Sequence, residues 1–276
     1  MNYRIVSDSS ANVLEIDGIE LGVVPLHVIV GEEDFVDDAS LDLAKMQESL
    51  SSYKGKTSTA CPGPQDWMQA FGNTDVVFCI TITSKLSGAY ASAKIAKDIY
   101  ESENDGKKVY VIDSLTTGPE MVLIIEKLKE LMEQNISPDE VYDLAMEYMK
   151  KTHLYFSLGS VDNLAKNGRV NPLLAKGINL LGIKLVGRAS DEGTLESLDK
   201  CRGEKKAYKK IVDYMKAHGY SNGKLVIAHN NNKVGAAALL ELIKNEFGEV
   251  KAMVHNTRAL CSYYAEPDSI LVGFEA

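Results

Sequence analysis

Hydroxyl side chains cluster in three short segments, and the first of them spans residues 56–64. It reads Lys-Thr-Ser-Thr-Ala-Cys-Pro-Gly-Pro, so that Thr57, Ser58 and Thr59 precede a Pro/Gly turn that leads into a helical pattern. Short hydroxyl side chains at such a turn cap the following helix or bind an oxyanion. The sequence predicts a loop at 57–60 and leaves both roles open.

The second segment, residues 81–93, places a Ser/Gly turn between an apolar strand and an Ala-rich helix. Ligands of open α/β sheets bind outside the carboxyl ends of the strands, and a helix N-terminus there favours an anion. Ser84 and Ser87 could add hydroxyl donors, and Gly88 would let a ligand approach the backbone. The alternative is that Ser87 only caps the helix. No phosphate-loop or dinucleotide fingerprint is present.

The third segment, residues 110–118, is another strand end with polar residues and a glycine. By the same argument Ser114 should face the same crevice. Asp113 is expected to anchor its loop, because a carboxylate beside an anion would repel it.

Two histidines could take part in an alternative to simple anion binding. His229 and His255 each follow a strand, and either could reach a carboxylate in a cleft. A Ser-His hydrolase that uses Ser87 and His255 stays open as an alternative, although no G-x-S-x-G elbow occurs. No metal-ligand spacing is present, so no metal site is predicted.

Short apolar runs alternate with helical patterns up to about residue 152, which predicts a parallel α/β domain over 1–152. Strands are expected at Tyr3–Ser7, Val76–Thr81 and Val109–Ile112, and helices at Ser40–Ser51, Pro64–Phe71, Ser87–Tyr100, Thr117–Gln134 and Ser137–Lys151.

The pattern of predicted strands and helices changes after this point, and an α+β domain with a mixed sheet is expected over 153–276. Its strands are expected at Leu154–Leu158, Ile183–Val186, Thr194–Leu198, Leu225–Ala228, Val250–Val254 and Ile270–Phe274, and its helices at Ser160–Lys166, Glu204–Ala217 and Val234–Phe247. A ligand cleft is expected between the two domains.

Composition excludes several classes of protein. The net charge of −9 lies entirely in the first fifth of the chain, where residues 1–50 hold 11 acids and two bases. The densest part, Glu32–Asp42, is expected to be a solvated hairpin and helix start. No basic block suggests a nucleic-acid binder or a polybasic membrane tether. The four cysteines are widely spaced, no apolar run could span a bilayer, and a reducing cytoplasm is expected.

In these residues the chain resembles the DegV family of bacterial fatty-acid-binding proteins along essentially its whole length. The segments that carry the resemblance come in order along the chain: Val6–Ser10, Pro25–Leu26, Asp34–Asp37, Thr57–Ser58, Cys61–Pro62, Ser84–Ala93, Val111–Ser114, Leu164–Val170 and Arg202–Ala207.

The resemblance implies one long-chain fatty acid bound between two α/β domains, with its carboxylate among hydroxyl groups. An ATP-binding fatty acid kinase subunit would then convert the presented carboxylate to acyl phosphate. Together with the segments above, this predicts ligand-binding residues Thr57, Ser58, Thr59, Ser84, Ser87, Gly88, Ser114 and His255. Arg202 matches a basic position associated with kinase contact.

The resemblance implies no catalytic group in this chain, no cofactor beyond the fatty acid, and at most transient membrane contact for lipid exchange. Two segments depart from the family pattern. Thr59-Ala60 replaces the usual Gln-Pro, and residues 255–259 read His-Asn-Thr-Arg-Ala where His-x-Gly-Pro-Gly is usual. Arg258 therefore either makes a new charge contact or faces solvent, and a binder of another small anion is a further alternative.

Overall fold

Three β-sheets flanked by helices organise the chain in the computed structural model, which describes residues 2–173, 178 and 182–276. The strands are β1 (Tyr3–Asp8), β2 (Leu21–Val24), β3 (His27–Val30), β4 (Glu33–Val36), β5 (Thr57–Ala60), β6 (Val76–Thr81), β7 (Lys108–Asp113), β8 (Thr152–Leu158), β9 (Ile183–Ala189), β10 (Leu195–Arg202), β11 (Leu225–His229), β12 (Ala252–Asn256) and β13 (Ile270–Glu275). The helices are α1 (Leu43–Ser52), α2 (Pro64–Phe71), α3 (Ala89–Glu103), α4 (Pro119–Met132), α5 (Pro138–Met149), α6 (Asp162–Lys166), α7 (Glu204–Ala217), α8 (Lys233–Phe247) and α9 (Ala259–Ala265).

The first sheet is parallel, with strand order β2-β1-β6-β7. Every residue of β6 is buried, as expected for an apolar run covered by helices on both faces. Leu128 of α4 and Val141 of α5 pack with strand residues in one core cluster, and Ala93 of α3 packs in another. The predicted parallel α/β arrangement is confirmed.

The second sheet is mixed and has six strands in the order β10-β9-β8-β13-β11-β12, of which only β11 and β12 run parallel. The hairpin of β9 and β10 turns at residues 190–194, where the Asp-Glu-Gly sequence predicted it. Ile211 of α7 and Leu239 of α8 pack on this sheet beside Phe274. The predicted mixed sheet is therefore confirmed.

The third sheet, antiparallel β4-β3-β5, includes a strand that the sequence analysis missed. The predicted loop at 57–60 is wrong, because these residues form β5 and pair with β3. Thr-Ser-Thr-Ala lacks the apolar alternation of a half-buried strand, so only the partner strand reveals it.

Several smaller expectations are corrected. Helix α1 begins at Leu43 with Asp42 as its N-cap, rather than at Ser40. The acidic segment does form a hairpin, but Asp37 in it is fully buried rather than solvated. Helix α9 was not predicted. Its residues Ala259 and Tyr263 pack into the core of the three-stranded sheet, so residues from late in the chain complete an early part of the fold.

Candidate ligand-binding site

A cavity of about 330 Å³ lies where the three sheets approach one another. This volume is within the range of roughly 300–1,000 Å³ that is typical of small-molecule sites. Its apolar lining comes from β5, β8, β10, β13, α6, α9 and the connections after β2 and β6, namely Leu26, Ala60, Ile82, Leu86, Leu154, Phe156, Leu158, Leu164, Leu195, Leu260, Ala265 and Leu271. Such a surface suits a hydrocarbon.

One part of the lining is polar. Among the described residues that line the cavity, Arg169 is the only one with a formal charge, and hydroxyl groups come from Thr59, Ser87, Thr117 and Tyr264. Gly88 lies beside Ser87 at the N-terminus of α3, where backbone N–H groups and the helix dipole favour an anion.

Arg169 is held by its surroundings. Its Nε donates to the carbonyl of Leu86 at 3.2 Å and its Nη1 donates to the carbonyl of Asn167 at 2.5 Å. Its guanidinium carbon lies 5.8 Å from the centre of the Tyr264 ring, within cation–π range. No acceptor for Nη2 is found in the described part of the chain. This nitrogen is thus available to a carboxylate ligand.

The hydroxyl groups keep donor capacity. The hydroxyls of Thr59 and Tyr264 lie 2.8 Å apart, so one donates to the other and one hydrogen remains for a ligand. The Ser87 hydroxyl accepts from the backbone N–H of Ala89 at 3.2 Å, which leaves its own hydrogen free. Burial raises the pKa of Tyr264, so its hydroxyl stays protonated at neutral pH.

The structure brings three of the eight predicted ligand-binding residues to the cavity, namely Thr59, Ser87 and Gly88. Ser87 does not occupy the N-cap position of α3, which Gly88 takes, although its hydroxyl bonds to the first turn. As ligand contacts, all eight stay predictions.

The other five lie outside the lining. The Thr57 hydroxyl bonds to that of Tyr263 at 2.7 Å, and Ser58 lies next to it in β5. Ser84 is exposed, and buried Ser114 donates to the carbonyl of Thr116 at 3.1 Å. His255 lies in β12, with its Nδ1 2.9 Å from the carbonyl of Asn256.

Of the pair considered for a hydrolase, Ser87 lines the cavity and His255 does not, and among the described residues no hydrogen bond joins them. The expected anchoring role of Asp113 is confirmed, because its Oδ1 accepts from the backbone N–H groups of Ser84 at 3.0 Å and Leu115 at 3.2 Å. Arg202 is exposed at the end of β10, before α7.

Sequence reasoning missed Arg169 and Tyr264. Arg169 lies in the segment 164–170 that resembles the family, and its position after a short helix and an Asn-Gly turn was the available signal. Tyr264 had no comparable signal, because α9 was not predicted.

Arg258, where the sequence departs from the family pattern, makes a charge contact. Its Nε lies 3.0 Å from Oδ1 of Asp37, whose side chain is fully buried. The backbone N–H of Arg258 donates to Oδ1 of Asn12 at 2.8 Å. Arg258, the N-cap residue of α9, thus links Asn12 and the acidic hairpin to that helix.

A cavity that is apolar apart from one cation and a few hydroxyl groups suits an amphipathic anion. Comparison with known proteins gives the family. The sequence model of the DegV family, which is described as a family of uncharacterised proteins, matches residues 2–276 of this chain. This chain therefore belongs to the DegV family.

Relatives and solved structures agree. A DegV domain-containing protein of Streptococcus pneumoniae is 39% identical over 279 residues, covering 100% of this chain and 99% of that protein. A DegV family protein of Eubacterium eligens, crystallised with heptadecanoic acid, is 40% identical with a TM-score of 0.97 over 99% of both chains. The B3 protein of the Streptococcus pneumoniae fatty acid kinase (Fak), crystallised with linoleic acid, is 39% identical with a TM-score of 0.97 over 100% of this chain and 99% of that one.

The described residues contain no group of three or more His, Cys, Asp or Glu side chains placed to hold a metal ion. No helix among them is both long and apolar enough to cross a membrane.

Proposed function

We propose that this protein binds one long-chain fatty acid and presents its carboxylate to an ATP-dependent kinase subunit in the cytoplasm. The observation that carries the proposal is the composition of the cavity wall, which is largely apolar but contains one cation, Arg169, and the hydroxyls of Ser87, Thr117 and the Thr59–Tyr264 pair. The chain contributes no catalytic group to acyl-phosphate formation in this scheme. Relatives of about 40% identity that hold heptadecanoic and linoleic acids support it.

Burial of the tail supplies the affinity. A tail of about 16 carbons, at ~0.8 kcal/mol per buried methylene, gives on the order of 12 kcal/mol of transfer free energy before the costs of binding. The head group then mainly fixes which end of the ligand faces the polar part. We assign 1–152 and 153–276 as the two domains that enclose the ligand.

The direct test is mass spectrometry of an organic extract of the purified protein. We expect one fatty acid per chain, either copurified or taken up after removal of lipid and incubation with added fatty acid. A protein that releases no lipid and takes up none would exclude the proposed function.

Matched Arg→Gln variants separate ligand binding from partner contact. A hydrogen bond to a charged group contributes about 1.5–3 kcal/mol, so Arg169→Gln should weaken fatty acid binding roughly 10- to 100-fold. The same variant should bind the corresponding fatty alcohol as the wild type does.

Arg202→Gln is the control for the same change of charge outside the cavity. It should leave fatty acid affinity unchanged and lower the rate at which a kinase subunit phosphorylates the bound acid. Equal loss of fatty acid affinity in both variants would contradict these assignments.

A further inference from the structure

A second, small void of about 10 Å³ lies directly beside the main cavity. Both are bounded by the same four side chains, Phe156, Leu158, Leu164 and Leu195. The void is further lined by Val161, Val170, Leu185, Glu196 and Ser197, which do not line the main cavity. The four shared side chains, which we call the partition, therefore separate a ligand-sized space from unused apolar space.

Phe156 is the aromatic member of the partition, and its position depends on a glycine. Phe156 of β8 and Gly187 of β9 are directly opposite each other in the antiparallel pair. A Cβ added at Gly187 would lie 2.5 Å from Cε2 and Cζ of Phe156 and 2.4 Å from the carbonyl oxygen of Glu196. The ring can rest against the β9 backbone only because residue 187 has no side chain.

This packing fixes the ring as a wall rather than as a mobile filler. Phe156 is 3% exposed, and its ring is confined by the β9 backbone and by Leu185 of the same core cluster. Because protein interiors are close-packed, a ligand that presses on this wall must displace side chains that have little room to move.

We propose that Phe156, seated on Gly187, sets the upper limit of acyl-chain length by closing the second void to the ligand. The inference rests on the proposed function, since it concerns the tail of the fatty acid in the same cavity. Each methylene that enters apolar space favours binding by about fourfold. A methylene that meets a closed wall gains none of this, so affinity falls beyond the longest chain that fits.

The test compares wild type with Phe156→Ala and Phe274→Ala after removal of lipid. Each protein is incubated with an equimolar series of saturated fatty acids that differ by two methylenes, and the bound acids are quantified by mass spectrometry. Phe274 of β13 is the matched control, because it is also a buried phenylalanine but lines neither the main cavity nor the second void.

Phe156→Ala should move the best-bound acid to a longer chain, with the ratio of longer to shorter acid rising on the order of tenfold per two methylenes. Phe274→Ala should keep the wild-type maximum. If the alanine variant does not fold, Phe156→Leu should give a shift in the same direction but smaller.

The outcomes distinguish the two proposals. If wild type binds fatty acids and neither Phe156 variant moves the maximum, the role of Phe156 is overturned while fatty acid binding stands. An equal shift in Phe274→Ala also overturns it, because any loss of core packing would then suffice. If wild type takes up no acid of the series, the proposed function itself fails.

Discussion

Replacement of Glu120 by glutamine should remove one contribution to the pH dependence of the free energy of unfolding. Glu120 is the second residue of α4, is 6% exposed, and accepts a hydrogen bond from the Thr152 hydroxyl at 2.8 Å. Its backbone also packs against β13, since a Cβ at Gly273 would lie 2.6 Å from the Glu120 nitrogen. The carboxyl group thus lies where α4 joins the six-stranded sheet.

The magnitude follows from the pKa of this carboxyl group. Burial raises the pKa of Glu120 from 4.5 to about 7. The folded state therefore binds this proton more tightly than the unfolded state, and the resulting stability is present below about pH 4.5 and lost as the pH rises through about 7. A difference of about 2.5 units corresponds to about 3 kcal/mol.

Urea unfolding at intervals from about pH 4 to about pH 9 would measure the effect, with the wild type and Glu120→Gln compared at each pH. Glutamine keeps an acceptor for Thr152 but does not ionise. We expect the difference in free energy of unfolding, variant minus wild type, to increase by about 3 kcal/mol from the acid end to the alkaline end of this range.

Glu130→Gln, on the same helix, is the control for sign. Burial raises the pKa of Glu130, but the hydrogen bond and charge of Lys224 outweigh burial and lower the pKa below its ordinary value. Its removal should therefore change the slope in the opposite direction and only at the acid end of the range, because this stability is lost as the pH falls from about 4.5 through the lowered pKa. Parallel curves for wild type and Glu120→Gln would refute the reasoning, because they would mean that Glu120 ionises in the folded protein as freely as in the unfolded chain.

Two further predictions concern Arg258 and the cysteines. Arg258→Met leaves the carboxylate of Asp37 buried without its cation and should lower the free energy of unfolding, measured with urea, by about 3 kcal/mol at neutral pH. Adding Asp37→Asn to this variant should restore most of the lost stability. An unchanged stability of Arg258→Met would contradict a stabilising contact between Arg258 and Asp37. Cys61 is exposed and lines the cavity, so a thiol reagent should label it promptly and more slowly after fatty acid is added. Prompt labelling of a second thiol would count against this, because the three others are buried and burial raises their pKa values: Cys79, Cys201 and Cys261.

Elements with strong local signals could be predicted from the sequence. The bounds of α2, α7 and β6 match the predicted residues, because Pro64 begins its helix, Gly203 and Gly219 flank another, and an uninterrupted apolar run suits a doubly covered parallel strand. Strand β5 and helix α9 lack such signals. Both depend on partners distant in the chain, since β5 pairs with β3 and Tyr263 of α9 packs beside Val28.

The residues of the candidate site likewise differ in whether a local sequence signal indicates them. Thr59, Ser87 and Gly88 could be predicted, because a hydroxyl-rich turn and a strand-to-helix turn are local features whose chemistry is visible in the residues themselves. Ser114 and His255 were predicted from their places at strand ends. Neither side chain lines the cavity, since that of Ser114 bonds within its own loop and His255 lies on β12, an edge strand of the six-stranded sheet.

The sequence by itself determined the alternation of strands and helices, the turns that expose hydroxyl groups, and the family to which the chain belongs. Only the tertiary structure decided that Arg169 and Tyr264 join those hydroxyl groups, that Arg258 neutralises a buried aspartate, and that Phe156 divides two apolar spaces. The physical reason is that a turn or a helix end depends on neighbouring residues, whereas a cavity is the space left by side chains packed from distant segments of the chain.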